Sequence, residues 1–199
     1  MQVTPSKRLI VAISGASGAI YGIRLLEALR QDRAVETHLI LTDAARITIT
    51  QETERTVSEV EALADVVHKP HNIGASIASG SFAVMGMVVV PCSIKSLSAI
   101  AHSAASDLLS RAADVQLKEG RPLVLAVRET PLHLGHLRLM VQAAEIGAVI
   151  MPPIPAFYSH PQTLDDVING TVGRILARLD IDNDLYFEWL GLKGKPHAE

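Results

Sequence analysis

Short, nearly continuous apolar runs alternate along the chain with longer stretches whose apolar residues recur at helical spacing. The runs Leu9–Ser14, His38–Thr42, Met87–Val90, Leu123–Val127 and Val149–Met151 predict strands. Their character is continuous rather than alternating, so they predict strands covered on both faces, as in a parallel sheet. Helical periodicity predicts helices at about Ile20–Arg30, Asp43–Thr50, Val57–Ala64, Leu97–Ala105, Ala112–Lys118, Leu137–Glu145 and Leu164–Leu179. Strand and helix in turn describe a doubly wound α/β fold, a mostly parallel sheet with helices on both faces. The stretch from Val66 to Ser81 is the least regular and reads as a surface excursion near a site. The tail from Gly191 is polar and reads as frayed.

The length of 199 residues suits one domain, here residues 1–190 followed by a flexible tail at 191–199. Apolar residues make up 48% of the chain and charged residues 20%. An ordinary soluble domain carries about 25% charged residues, so a lone globule would expose more apolar surface than it tolerates, and a homo-oligomer is expected. The net charge of −3 and the pI near 6.2 leave no basic footprint for nucleic acid or an anionic membrane. Any phosphate bound here must be small and met locally. Cys92 is the only cysteine, which rules out a disulfide framework and a cysteine metal cluster and suits a reducing cytoplasm. Lys7-Arg8 ahead of Leu9–Ala16 imitates a secretory signal, but Ile20–Arg30 continues as an amphipathic helix. No run of about 18 uncharged apolar residues predicts a membrane span.

In an open α/β sheet, ligands bind beyond the carboxyl ends of the strands. After the first strand, Ser14-Gly-Ala-Ser-Gly-Ala19 leads straight into a helix. It is either a plain tight turn or a place where a phosphate or an electron-rich ring approaches backbone amides. It is neither a Walker loop nor Gly-x-Ser-x-Gly. Asp43, after the second strand, is where an NAD-binding fold holds ribose hydroxyls, or it caps the next helix; the first turn lacks Gly-x-Gly-x-x-Gly. Pro91-Cys-Ser-Ile-Lys-Ser-Leu-Ser98 puts hydroxyls and a cation at another helix start, suited to phosphate or polar flavin edges, or simply to N-capping. Cys92 reads as buried rather than nucleophilic. Arg111 and Lys118 share a helix face and, with Arg128 at the next strand end, suggest three cations converging on an anionic substrate; a solvated helix face is the alternative for the first two. His133 and His136 lack a matching carboxylate or cysteine set, so no metal is expected. Met151-Pro-Pro-Ile-Pro-Ala-Phe-Tyr158 is a proline-stiffened loop that fixes Tyr158 near the sheet edge, with Arg174 on a helix within reach.

In order and spacing, Gly15-Ala-Ser-Gly-Ala-Ile-Tyr-Gly22, Pro91–Lys95, Arg111–Val115, Leu117–Glu119, Arg121–Leu125, Arg128-Glu129 and Pro155–Tyr158 resemble the UbiX flavin prenyltransferases, from about Arg8 to Trp189. The resemblance implies a single Rossmann-like or flavodoxin-like domain, assembled as a dodecamer with FMN and prenyl phosphate at subunit interfaces. It implies that Gly15, Ala16, Ser17, Thr42, Ser93, Ile94, Lys95, Ser96 and Arg128 hold FMN. It likewise implies that Arg111, Lys118, Glu129, Tyr158 and Arg174 hold dimethylallyl monophosphate. Glu52 matches the family's catalytic carboxylate, Ser17 assists from the flavin side, and Lys118, Tyr158, Arg111 and Arg174 stabilise the departing phosphate without a metal. The allyl group is expected to attach to the central-ring nitrogen of reduced FMN and then close a fourth ring, with Glu52 taking the proton. Prenylated FMN then passes to a UbiD-type decarboxylase, in ubiquinone synthesis or aromatic-acid decarboxylation. The competing readings are an FMN-dependent Cys-decarboxylase-like flavoprotein and a bare FMN carrier. The chain departs from the family pattern at Thr42-Asp43, where Ser-Lys is frequent, and at Gly120, where arginine often follows Lys-Glu.

Overall fold

Each predicted apolar run forms a strand, and a sixth strand appears that the pattern does not reveal. The computed structural model describes residues 7–31 and 34–191, so the tail from 192 to 199 lies outside the described residues. The strands are β1 (Lys7–Ile13), β2 (Val35–Leu41), β3 (Val66–His68), β4 (Gly86–Cys92), β5 (Leu123–Val127) and β6 (Val149–Ile150). The helices are α1 (Ala19–Gln31), α2 (Asp43–Glu52), α3 (Val57–Glu61), α4 (Ile94–Ala101), α5 (Leu108–Lys118), α6 (Leu134–Glu145) and α7 (Leu164–Arg178). The sheet order is β3-β2-β1-β4-β5-β6 and every neighbouring pair is parallel. This is a doubly wound order whose winding reverses between β1 and β4, the place where such sheets open a crevice.

Both faces of the sheet are covered, which is why its strands are continuously apolar. Leu9, Val11 and Ile13 point into a core shared with α1, α2, α3 and α7, whereas Ile10 and Ala12 point into one shared with α4, α5 and α6. Leu9 through Ile13 are wholly buried. Each such large side chain contributes about 1.5–3 kcal/mol relative to exposure.

Where the elements differ from their sequence expectation, polar contacts explain it. β2 starts at Val35 because its polar residues find partners: the Thr37 hydroxyl donates to Asp65 at 2.8 Å, and the His38 ring lies 2.9 Å from His68 and 2.8 Å from Glu36. β3 is three residues long with Val67 exposed, too short to show a period. α4, α5 and α6 begin at Ile94, Leu108 and Leu134, ahead of their apolar periodicity, because Ser93, Asp107 and His133 cap them. Gly120 follows the end of α5 at φ +65°, the left-handed region, so the glycine at this departure from the family pattern spares the strain a side chain there would bring.

Candidate functional site

The site is built where β1 and β4 end side by side. Ser14 is fully buried there; its hydroxyl donates to the Pro91 carbonyl at 2.8 Å and accepts the Ser93 amide at 2.8 Å. Gly15 lies so close to α2 that an added Cβ would sit 2.2 Å from the Cβ of Ala44, so only glycine lets the turn meet that helix. Ser93 caps α4, its hydroxyl accepting the Ser96 amide at 3.3 Å, and Thr42 caps α2, accepting the Ala45 amide at 3.1 Å. Thr42 therefore does the capping that was an alternative for Asp43. The Asp43 carboxylate instead meets His71 at 3.1 Å, a pairing with no local signal in the sequence.

These pieces enclose a cleft of about 230 Å³ walled by Gly15, Thr42, Asp43, Ser93, Lys95 and Ser96, with the start of α5 opposite and Pro70 and His71 above. Among the described residues, the amides of Ile94 and Lys95 and the Lys95 ammonium have no partner. Two open amides, three hydroxyls and a cation at a helix start suit a phosphate monoester or the polar edge of a flavin.

The start of α1 is occupied differently. The Glu52 carboxylate, at the end of α2, accepts the Gly18 amide at 2.8 Å and the Ala19 amide at 3.3 Å through the same oxygen. The helical end of this turn, where a phosphate was one expectation, is taken by the chain's own carboxylate. Ser17 stands exposed in the turn. The Tyr21 phenol, one turn into α1, has its pKa raised by burial, an effect that the charge of Arg128 opposes. Arg128 reaches this edge because its amide donates to the Cys92 carbonyl at 3.0 Å, carrying β5 past the end of β4.

Tyr158 and Arg174 share a second cleft, of about 170 Å³, between the end of β6 and α7. Tyr158 sits in a single helical turn, Phe157–Ser159, with its ring centroid 5.6 Å from that of Trp189. The Arg174 guanidinium lies 5.4 Å from the Tyr186 ring.

The expected convergence of Arg111, Lys118 and Arg128 is not formed within one chain. α5 runs against the strands, so Lys118 is at the amino edge of the sheet and Arg128 at the carboxyl edge. At about 3.3 Å per residue, β5 separates them by roughly 15 Å. Lys118 pairs with Glu119, and Arg111 donates to Asp114 at 3.0 Å and to the Ala78 carbonyl at 3.3 Å. Glu129 accepts the Thr130 amide at 3.0 Å. The Cys92 thiol is pushed up to about 12 by burial, which leaves it unreactive. The His133 and His136 rings lie tilted at 33° with centroids 3.6 Å apart, and no group of three or more metal-capable side chains occurs among the described residues.

Comparison with known proteins places the chain in a family and matches its fold. The Flavoprotein family profile matches residues 2–176. The flavin prenyltransferase UbiX of Salmonella typhimurium is 65% identical over 187 residues, covering 93% of this chain and 99% of that protein. Its counterpart in Escherichia coli K12 is 64% identical over the same shares. A crystal structure of a UbiX protein in complex with FMN and dimethylallyl pyrophosphate superimposes with a TM-score of 0.91 at 49% identity, covering 93% of this chain and 98% of that one. A dodecameric FMN-dependent UbiX-like decarboxylase from Escherichia coli O157:H7 gives 0.90 at 46% identity, covering 92% and 100%. An FMN-dependent cysteine decarboxylase gives 0.58 at 22% identity, a likeness of fold alone.

Proposed function

The chain belongs to the Flavoprotein family, and within it we infer that the protein is a flavin prenyltransferase, joining the dimethylallyl group of a dimethylallyl phosphate to reduced FMN. The observation that carries this reading is the α4 start, where the Ile94 and Lys95 amides and the Lys95 ammonium are left open beside Thr42, Ser93 and Ser96. The cysteine-decarboxylase alternative rests on 22% identity, against 65% to a flavin prenyltransferase. A bare carrier would have no use for the Tyr158–Arg174 cleft.

FMN supplies the nucleophilic centre that receives the prenyl group. Gly15, Ala16, Ser17, Thr42, Ser93, Ile94, Lys95, Ser96 and Arg128 hold it, and Arg111, Lys118, Glu129, Tyr158 and Arg174 hold the donor. The cations and the Tyr158 hydroxyl stabilise the leaving phosphate with no metal required. Glu52 takes the proton lost on ring closure. One of its oxygens is held by the amides of Gly18 and Ala19, and the other has no partner among the described residues.

The site is completed between copies. The two clefts, of about 230 and 170 Å³, are each smaller than the roughly 300–1,000 Å³ typical of a ligand pocket. Lys118 can join Arg128 only from another subunit. Exposed Leu134, Leu137 and Val141 on α6 offer an apolar contact face, and a dodecamer is the assembly of one relative. No helix among the described residues is long and apolar enough to cross a membrane, and the lone buried Cys92 suits the cytoplasm, where the product would serve a UbiD-type decarboxylase. We take residues 1–190 as the single flavin-binding unit.

Anaerobic incubation with reduced FMN and dimethylallyl monophosphate, followed by mass analysis, tests the reading. A flavin heavier by one prenyl unit is expected. An unchanged flavin with both the monophosphate and the diphosphate overturns it.

A further inference from the structure

We propose that Ser14 is a positioning residue of the flavin site, which decides which α4 amides meet the ligand; the identity of that ligand rests on the reading above. A helix start leaves four amides without partners inside the helix. At α4 these belong to Ser93, Ile94, Lys95 and Ser96. Ser14 takes the first at 2.8 Å and the Ser93 hydroxyl takes the last at 3.3 Å, so Ile94 and Lys95 alone remain open. The Ser14 hydroxyl has no freedom to do otherwise. Its proton is committed to the Pro91 carbonyl at 2.8 Å, which turns a lone pair toward Ser93, and the side chain is wholly buried.

The brace also joins the two walls of the cleft. Ser14 precedes Gly15, whose turn presses on Ala44 at the start of α2, so one residue fixes the β1 turn, α2 and α4 relative to one another. Loss of the hydroxyl falls mainly on Ser93. Pro91 keeps a second donor in the Ser14 amide at 3.2 Å, whereas the Ser93 amide keeps none. Such an unpaired amide is costly enough to shift the first turn of α4.

The test combines flavin titration with hydrogen exchange on full-length Ser14→Ala. The FMN dissociation constant is expected to rise about tenfold. Exchange should quicken at residues 93–96 while α1 and α7 keep their protection, and the loss of turnover should fall on the KM for FMN more than on kcat. Ser14→Cys, with a weaker acceptor of similar size, should fall between the two and carries the test where alanine prevents folding. Unchanged affinity and exchange in these variants, or a loss of protection spread evenly through the chain, overturns the proposal. Failure of wild-type protein to bind FMN would remove the ligand assignment instead, and exchange at 93–96 would still decide whether Ser14 holds Ser93.

Discussion

α1 and α4 start at neighbouring strand ends, one after a small-residue turn and the other after the single residue Ser93, yet they present opposite faces to a ligand. Glu52, a residue 34 positions from Gly18, holds two of the amides at the start of α1, those of Gly18 and Ala19, and the Tyr21 amide turns back to the Gly18 carbonyl, so that end already carries a carboxylate of the chain's own. The start of α4 is only half filled, by Ser14 and Ser93, and keeps two amides and the Lys95 ammonium for something from outside. A helix start is therefore not a site in itself. What the rest of the fold leaves unsatisfied decides where an anion binds, and what it satisfies can become a held reactive group.

The largest expected effect comes from the filled end. Glu52→Gln keeps an oxygen for the Gly18 and Ala19 amides but cannot accept a proton. Formation of the prenylated flavin should drop by about 10²- to 10⁴-fold, with FMN affinity unchanged in a fluorescence titration. A normal rate would move the base elsewhere. Arg174 belongs to neither helix start and sharpens the contrast. Arg174→Ala should retain FMN and slow transfer by about 10²-fold at limiting donor, with lysine restoring only part of the rate. Silence of the alanine variant would make Arg174 an ordinary helix residue.

At the open end, Lys95→Ala should raise the FMN dissociation constant about tenfold and reduce its dependence on salt, since a charge-assisted bond to an anion is lost. Equal weakening by Glu52→Ala would erase the distinction between the two ends. Instead, Glu52→Ala should leave affinity in place and lower the unfolding midpoint by about 2–4 °C, the effect of losing a helix cap in a chain of this size; calorimetry reads this directly.

The smallest effect concerns the 66–82 excursion, which packs against β2 and α5. His68 stacks on His38, and the edge of Phe82 meets His38 at 5.3 Å. Burial first, and then the His38 charge, lower the His68 pKa below the ordinary 6.5. Glu36 and Arg8 complete the charged surroundings. A depressed imidazole pKa means that folding favours the neutral ring. Its contribution is complete above about pH 6.5 and is lost as pH falls through the lower folded value. Acidification should therefore speed hydrogen exchange at 66–82 before it touches α1. The reverse order would contradict this.

Five of the six strands were legible because a strand buried on both faces is continuously apolar, and that property is local. The α4 start was also legible, since Ser93, Lys95 and Ser96 are adjacent in sequence. So was the placing of Tyr158 and Arg174 beside one cleft, by a stiff loop and a helix near one edge. β3 was not, because three half-exposed residues carry no period. The sequence by itself determined five strands of the sheet, its covering helices and the chemistry available at their strand ends. Only the tertiary structure decided that Glu52 closes α1 across 34 residues, that Ser14 reaches Ser93 across 79, and that α5, running against the strands, carries Lys118 away from Arg128. Hydrophobic periodicity specifies which face of an element is buried, whereas a hydrogen bond between distant residues depends on how the elements are stacked, and no local pattern encodes that.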